Sequence, residues 1–215
     1  MPFRLRDCLP FPHFSAQSFK FLDPCQLIDA ELELVAPSQN WVDSVLKSCR
    51  HPLSIRDAPA LADTSRAQLA DFLKACPNGR QQPARDQVPA YYFWMRDRAS
   101  DELPMAGGIG LRITLNYETV MYSGHIGYHV YPPSRGRHFA ERACRLLMPL
   151  AKAHGIDPLW ITCNPDNIPS RRTCERLGGM LVEIVPVPTD HPLYQRGEIE
   201  KCRYRIDLPL APPAT

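Results

Sequence analysis

Between residues 124 and 131 the chain alternates: Ile126, Tyr128 and Val130 fall on one face, and His125, Gly127, His129 and Tyr131 on the other. A period of two over that length predicts a strand. Pro132 and Pro133 end it, because neither can donate a ladder hydrogen bond. After a short polar turn the spacing becomes helical, with Phe139, Ala143, Leu147 and Leu150 on one face and Gly155 as a left-handed stop after His154. Pro149 lies inside that pattern and predicts a kinked last turn or an earlier end.

The same reading gives the other elements. A strand at residues 32–35 precedes a helix opened by Pro37-Ser38, with Trp41, Val45 and Leu46 inward. Residues 54–63 read as a loop. Thr64 or Ser65 then caps a helix with Leu69, Phe72 and Leu73 inward, stopped by Pro77-Asn78-Gly79. Apolar strands are predicted at 88–95 and 104–115, the second softened by Gly107-Gly108, and a buried strand at 159–163. Asn167 is a good helix N-cap, Pro169 suits the first turn, and Gly178-Gly179 ends that helix. Strands at 180–187 and 201–208 follow, the last with Cys202, Tyr204, Ile206 and Leu208 inward. With no repeat or linker, this is a mixed α/β chain with one central sheet. A single domain spans residues 30–208, preceded by an arm at 1–29 and followed by a disordered Pro-rich tail at 209–215. The arm holds Phe3, Phe11, Phe14, Phe19 and Phe21, too apolar for a solvated tail, and is expected to pack, on the domain or on a second subunit.

Composition narrows the function classes. The chain has 215 residues, 44% of them hydrophobic, which is enough for a sizeable core. A formal net charge of +2 is too near neutral to argue for nucleic acid or an anionic membrane as partner. No apolar run approaches the roughly 20 residues of a membrane span. The eight cysteines are scattered without a Cys-x-x-Cys pair, so neither a disulfide scaffold nor a metal site is expected, and reduced thiols in a cytoplasm are.

The chemistry concentrates where the alternating strand meets the helix. A turn carrying a glycine and two arginines before a helix N-terminus is an anion site: free backbone N–H groups, a positive dipole end and guanidinium forks all suit a pyrophosphate. The turn reads Arg135-Gly136-Arg137-His138-Phe139-Ala140. It resembles the Gln/Arg-x-x-Gly-x-Gly/Ala cofactor loop of the GNAT superfamily of acyl-CoA-dependent N-acyltransferases, with His138 where the first signature glycine stands. A second segment, residues 164–170 with Asn167 and Ser170 and then Glu175-Arg176-Leu177-Gly178-Gly179, is similar to that family's Asn-x-x-Ser…Glu-Lys-x-Gly-Gly run.

The resemblance covers about residues 32–208 and looks like a bacterial branch of the family. It implies a central, mostly antiparallel twisted sheet flanked by helices, and acetyl-CoA as acyl donor to a primary amine. Backbone N–H groups of Arg135, Gly136, Arg137, His138, Phe139 and Ala140 would hold the pyrophosphate. Residues 128–131, Val130 and Tyr131 among them, would pair with pantetheine where the strand splays from its neighbour. Asn167 and Ser170 would touch the arm from the other side. His125 matches the position of the family's general base, with His129 and Glu118 as alternatives. The position of the tyrosine that protonates the leaving thiolate is Cys174, which leaves Tyr128, Tyr131, Ser170, water or no acid at all for that task. The acceptor pocket would form from about residues 42–73 and 189–197, whose Asp43, Asp57, Asp63, Asp71 and Asp190 suit a cationic small molecule. The resemblance also allows a homodimer through the arm or the final strands. A non-catalytic acyl-CoA binder on the same fold is the other reading, favoured by His138 and Cys174.

Overall fold

The computed structural model describes residues 19–24, 27–84 and 87–208. Phe3, Phe11, Phe14 and the tail at 209–215 lie outside them.

Two antiparallel sheets lie side by side. The first has the order β1 (Leu32–Val35), β3 (Ala90–Asp97), β4 (Met105–Arg112), β5 (Ile126–Val130), with the short β2 (Arg80–Gln81) also paired to β3. The second has the order β6 (Leu159–Cys163), β8 (Glu200–Ile206), β7 (Met180–Pro186). The expected single sheet is thus divided between β5 and β6. Helix α1 (Val42–Cys49) is tied to the first sheet by the Ser48 hydroxyl, which donates to the Met105 carbonyl at 2.7 Å.

Residues 54–63, read as a loop, form two short helices instead, α2 (Pro52–Asp57) and α3 (Pro59–Ala62). Each opens with a proline at its first position, where a missing N–H costs nothing. They are too short to show an apolar period, so the pattern could not reveal them. Helix α4 (Arg66–Ala75) starts at Ser65 with a reciprocal capping box to Gln68.

Helix α5 (Phe139–Ala153) runs through Pro149 and is not shortened by it. Its face of Phe139, Ala143, Leu147 and Leu150 is buried, together with Leu32, Leu111, Ile126 and Tyr204, in the larger core on one side of the sheets. Phe19 and Phe21 pack against that core, and the Leu22 N–H donates to the Tyr91 phenol at 2.7 Å. A second core, on the other side, joins α1 and α4 to Trp94, Met105 and Tyr131. Helix α6 (Ile168–Arg176) follows β6 and is capped by the Asn167 side chain, which accepts from the Ser170 N–H at 3.2 Å. No helix among the described residues is long and apolar enough to cross a membrane.

Candidate active site

The division between the sheets creates the site. β5 and β6 are clasped at one end, where the His125 N–H donates to the Trp160 carbonyl at 2.7 Å and the Trp160 N–H donates to His125 Nδ1 at 2.9 Å. The other ring nitrogen, Nε2, meets the Thr114 carbonyl at 2.9 Å. His125 is 0% exposed, and burial lowers its pKa from 6.5 to about 4. With Nδ1 accepting and Nε2 donating, the imidazole has no lone pair left for a substrate proton. The resemblance put the base here, with His129 and Glu118 as alternatives; the geometry makes the residue a staple between strands.

Beyond the staple β5 is an open edge. The Arg112 N–H donates to the His125 carbonyl and the Tyr131 N–H to the Ala106 carbonyl, both at 2.8 Å. The antiparallel ladder then directs the peptide groups of Ile126, Tyr128 and Val130 away from β4, into the gap. Arg135 reaches back to this edge, Nε donating to the Val130 carbonyl at 3.3 Å.

The turn after β5 presents N–H groups. Gly136 has φ 85° and His138 φ 57°, so both are left-handed. The first signature glycine of the loop is therefore replaced by a side chain that still adopts the glycine-like conformation, one that histidine tolerates better than most residues. The imidazole turns outward, Nδ1 lying 2.9 Å from Arg176 Nη1 and 3.6 Å from Glu141. No side chain caps α5, and the N–H groups of residues 136–140 have no partner among the described residues. That row, at a positive dipole end, suits a pyrophosphate.

The two arginines of the turn part company. Arg135 is exposed and pairs with no carboxylate among the described residues. Arg137 is bound bidentately by Asp97, which is 2% exposed, and also meets Glu31 at 3.2 Å. Its guanidinium lies 4.7 Å above the ring of Phe139, itself buried. Of the two arginines expected as phosphate forks, only Arg135 is without a carboxylate among the described residues. The side chains of Arg137 and Phe139 hold the turn in place and leave only their N–H groups to a ligand.

On the far side of the gap stands α6. The Ser170 hydroxyl lies 2.9 Å from the Tyr128 phenol, whose pKa is pushed well up by burial. Asn167 caps the helix, so its amide oxygen is engaged. Cys174 is fully buried, and its thiol is held far above the usual range by its contact with Cys163 and by burial. Cys163, at the end of β6, is lowered to about 7 by that same contact, against burial.

A cavity of about 390 Å³ opens over the other face of β3, β4 and β5. Val45, Leu61, Leu69 and Phe72 close it from the early helices, and Tyr92, Trp94, Tyr131, Arg112 and His129 from the strands. Its floor depends on two glycines of β4. A Cβ at Gly108 would lie 2.8 Å from His129 Cε1, and one at Gly110 2.9 Å from the Tyr92 ring. Both side chains lie flat on the sheet because these positions carry nothing. His129 has no hydrogen-bond partner among the described residues, and burial lowers its pKa from 6.5 to about 4, which keeps the ring neutral.

The aspartates expected at the acceptor pocket do not line it, nor does the loop at 189–197. Asp43 pairs with Arg66, Asp57 with Arg56 and Asp71 with Lys74 at the surface. Sequence reading missed Arg112, Tyr92 and the role of the β4 glycines. The one signal was the glycine-rich run 107–110 inside an otherwise apolar strand.

The family model for the acetyltransferase (GNAT) domain matches residues 32–180, and the chain belongs to that family. Solved structures give the same fold at low identity. A GCN5-related N-acetyltransferase from Brucella melitensis is 18% identical, with a TM-score of 0.60, covering 87% of this chain and 80% of that one. The microcin self-immunity acetyltransferase MccE in complex with acetyl-CoA and AMP is 15% identical (TM-score 0.58; 83% and 93% covered). RimL, a ribosomal-protein alpha-N-acetyltransferase in complex with coenzyme A, is 17% identical (TM-score 0.58; 84% and 96% covered). No curated protein matches.

Proposed function

We propose that the protein transfers an acetyl group from acetyl-CoA to a primary amine of a small-molecule acceptor. The observation that carries this reading is the convergence at one gap of three features: the free N–H row of residues 136–140, the open edge of β5, and the Tyr128–Ser170 hydroxyl pair. The row and Arg135 take the pyrophosphate, and the peptide groups of Tyr128 and Val130 take the pantetheine arm. The thioester then lies between Tyr128 and the cavity.

The amine enters from the cavity, where His129 presents a neutral imidazole. Its nitrogen attacks the thioester carbonyl, the new C–N bond forms as the C–S bond breaks, and the amine proton passes to His129 and on to solvent. The Tyr128–Ser170 pair hydrogen-bonds the leaving thiolate and passes it a proton, which solvent replaces. His129 thus takes the role that the resemblance gave to His125, because its ring has a lone pair to offer and faces the cavity.

The left-handed His138 keeps the N–H row, which supports acetyl-CoA binding by an enzyme and by a non-catalytic binder alike. Calorimetric titration with acetyl-CoA on the native protein and on Arg135→Ala tests the donor site, and release of free thiol with a panel of amines tests turnover. Micromolar binding weakened by the substitution, with amine-dependent thiol release, is the expected result. Binding without release from any amine would leave only an acyl-CoA binder.

A further inference from the structure

The cavity on the acceptor side has a definite chemical character. Phe72 meets Tyr92 edge-on at 5.5 Å and stacks at an incline of 30° on Trp94 at 6.5 Å, so one wall is a continuous aromatic surface. Neither Asp nor Glu is among its lining residues. The cation that does line it, Arg112, pairs with no carboxylate among the described residues. Its Nη1 donates to the carbonyls of Ser123 and Gly124 at 3.3 and 3.1 Å, which fixes the guanidinium beside Gly127. Nη2 and Nε have no protein acceptor among the described residues. His129 is two residues further along the same face of β5, about 7 Å of strand away.

We infer that the acceptor is an amine on an apolar or aromatic body that also carries an anionic group, the anion bound by Arg112 and the amine presented to His129. The inference rests on the acetyl-transfer reading above and names its substrate class. A guanidinium held in a partly apolar cavity with spare donors favours a carboxylate or phosphate and repels a second cation. The aromatic wall gives area to an apolar body and little to a hydrated polyamine. Two hydrogen bonds added to the short span between the amine and carboxylate of an α-amino acid fit the spacing from Arg112 to His129.

The test compares matched amines on the full chain with acetyl-CoA: phenylalanine, phenethylamine (the same body without the carboxylate) and spermidine (charge without the body). It is extended to the other standard amino acids, with turnover read by thiol release and binding by calorimetry in the presence of coenzyme A. The expected order is carboxylate-bearing apolar amines over phenethylamine by at least tenfold in kcat/KM, with spermidine unused. In Arg112→Gln the kcat/KM for the carboxylate-bearing amine falls at least tenfold more than that for phenethylamine. Retained acetyl-CoA binding shows that this variant is folded, and the comparison of ligands on the native protein stands without it. A preference for spermidine, equal use of phenylalanine and phenethylamine, a carboxylate preference that survives Arg112→Gln, or acetyl-CoA binding with no anionic amine bound or used overturns the inference while leaving acetyl transfer open. Failure to bind acetyl-CoA at all overturns both.

Discussion

The phenolic oxygen of Tyr128 and the hydroxyl oxygen of Ser170 stand 2.9 Å apart, bridging the open edge of β5 and the first turn of α6. The chain between them includes the whole of α5 and β6, so the contact reports how the two halves of the molecule dock. Burial keeps the phenol protonated at neutral pH, so the pair can hydrogen-bond a leaving thiolate. Tyr128→Phe should lower kcat by about 10²-fold while changing acetyl-CoA affinity little, as steady-state kinetics and calorimetry would show. An unchanged kcat would assign the proton to water.

His129 and His125 should separate cleanly on substitution. His129→Ala is expected to lower kcat by about 10²-fold or more with the unfolding free energy nearly intact. His125→Ala removes two buried hydrogen bonds and should cost about 2–4 kcal/mol in urea unfolding. A stable His125→Ala protein without turnover would return the base to that residue.

Acid should destabilise the protein before its carboxylates titrate. His125 and His129 both fall from 6.5 to about 4 on folding, and His154 is shifted the same way by burial. Between those values the unfolded chain binds more protons than the folded one, so stability is full above pH 6.5 and is lost as pH falls towards 4. The slope is about 1.4 kcal/mol per pH unit for each fully shifted histidine. Urea midpoints at a series of pH values read it directly, and a flat profile from 7 to 5 would contradict the burial of these rings.

The arginines of the turn should give opposite signatures. Arg135→Ala is expected to weaken acetyl-CoA binding about tenfold at low salt with no loss of stability. Arg137→Ala leaves the Asp97 carboxylate buried without its partner and should destabilise by about 2–3 kcal/mol. Loss of binding without loss of stability in Arg137→Ala would mean that its guanidinium leaves Asp97 for the phosphate.

At His138 backbone conformation is decisive. His138→Gly keeps the left-handed turn and should retain acetyl-CoA binding within about twofold, whereas His138→Val places a β-branched residue at φ 57° and should destabilise by about 1–2 kcal/mol. Equal behaviour of the two variants in thermal unfolding would show that the turn relaxes.

Much of this was legible in the chain. The alternation of residues 124–131, the prolines behind it, the Phe139 to Leu150 stripe and the Asn167 cap are local signals, set by backbone sterics and a few neighbouring side chains. They determined the strand, the turn, the helix and the order of the elements, and two short motifs in that order pointed to the family. Where the local signal was weak, as in the proline-opened helices α2 and α3, the reading failed.

Side-chain roles within the site were another matter. Arg135 and Arg137 are two residues apart and equivalent on paper; a buried aspartate from β3 makes one a structural anchor, and the other has no carboxylate among the described residues. His125 and His129 share a face of the strand, yet Trp160 of β6 and the Thr114 carbonyl engage the two ring nitrogens of the first, and the second lines the cavity without a hydrogen-bond partner among the described residues. Phe72, Tyr92, Arg112 and His129 come from a helix and three different strands, and only their packing makes a pocket of them. The sequence by itself determined the elements, because periodicity, caps and turns act between near neighbours. The tertiary structure decided which donors, lone pairs and apolar surfaces remain uncommitted for a ligand, because that depends on which distant residues have already satisfied them.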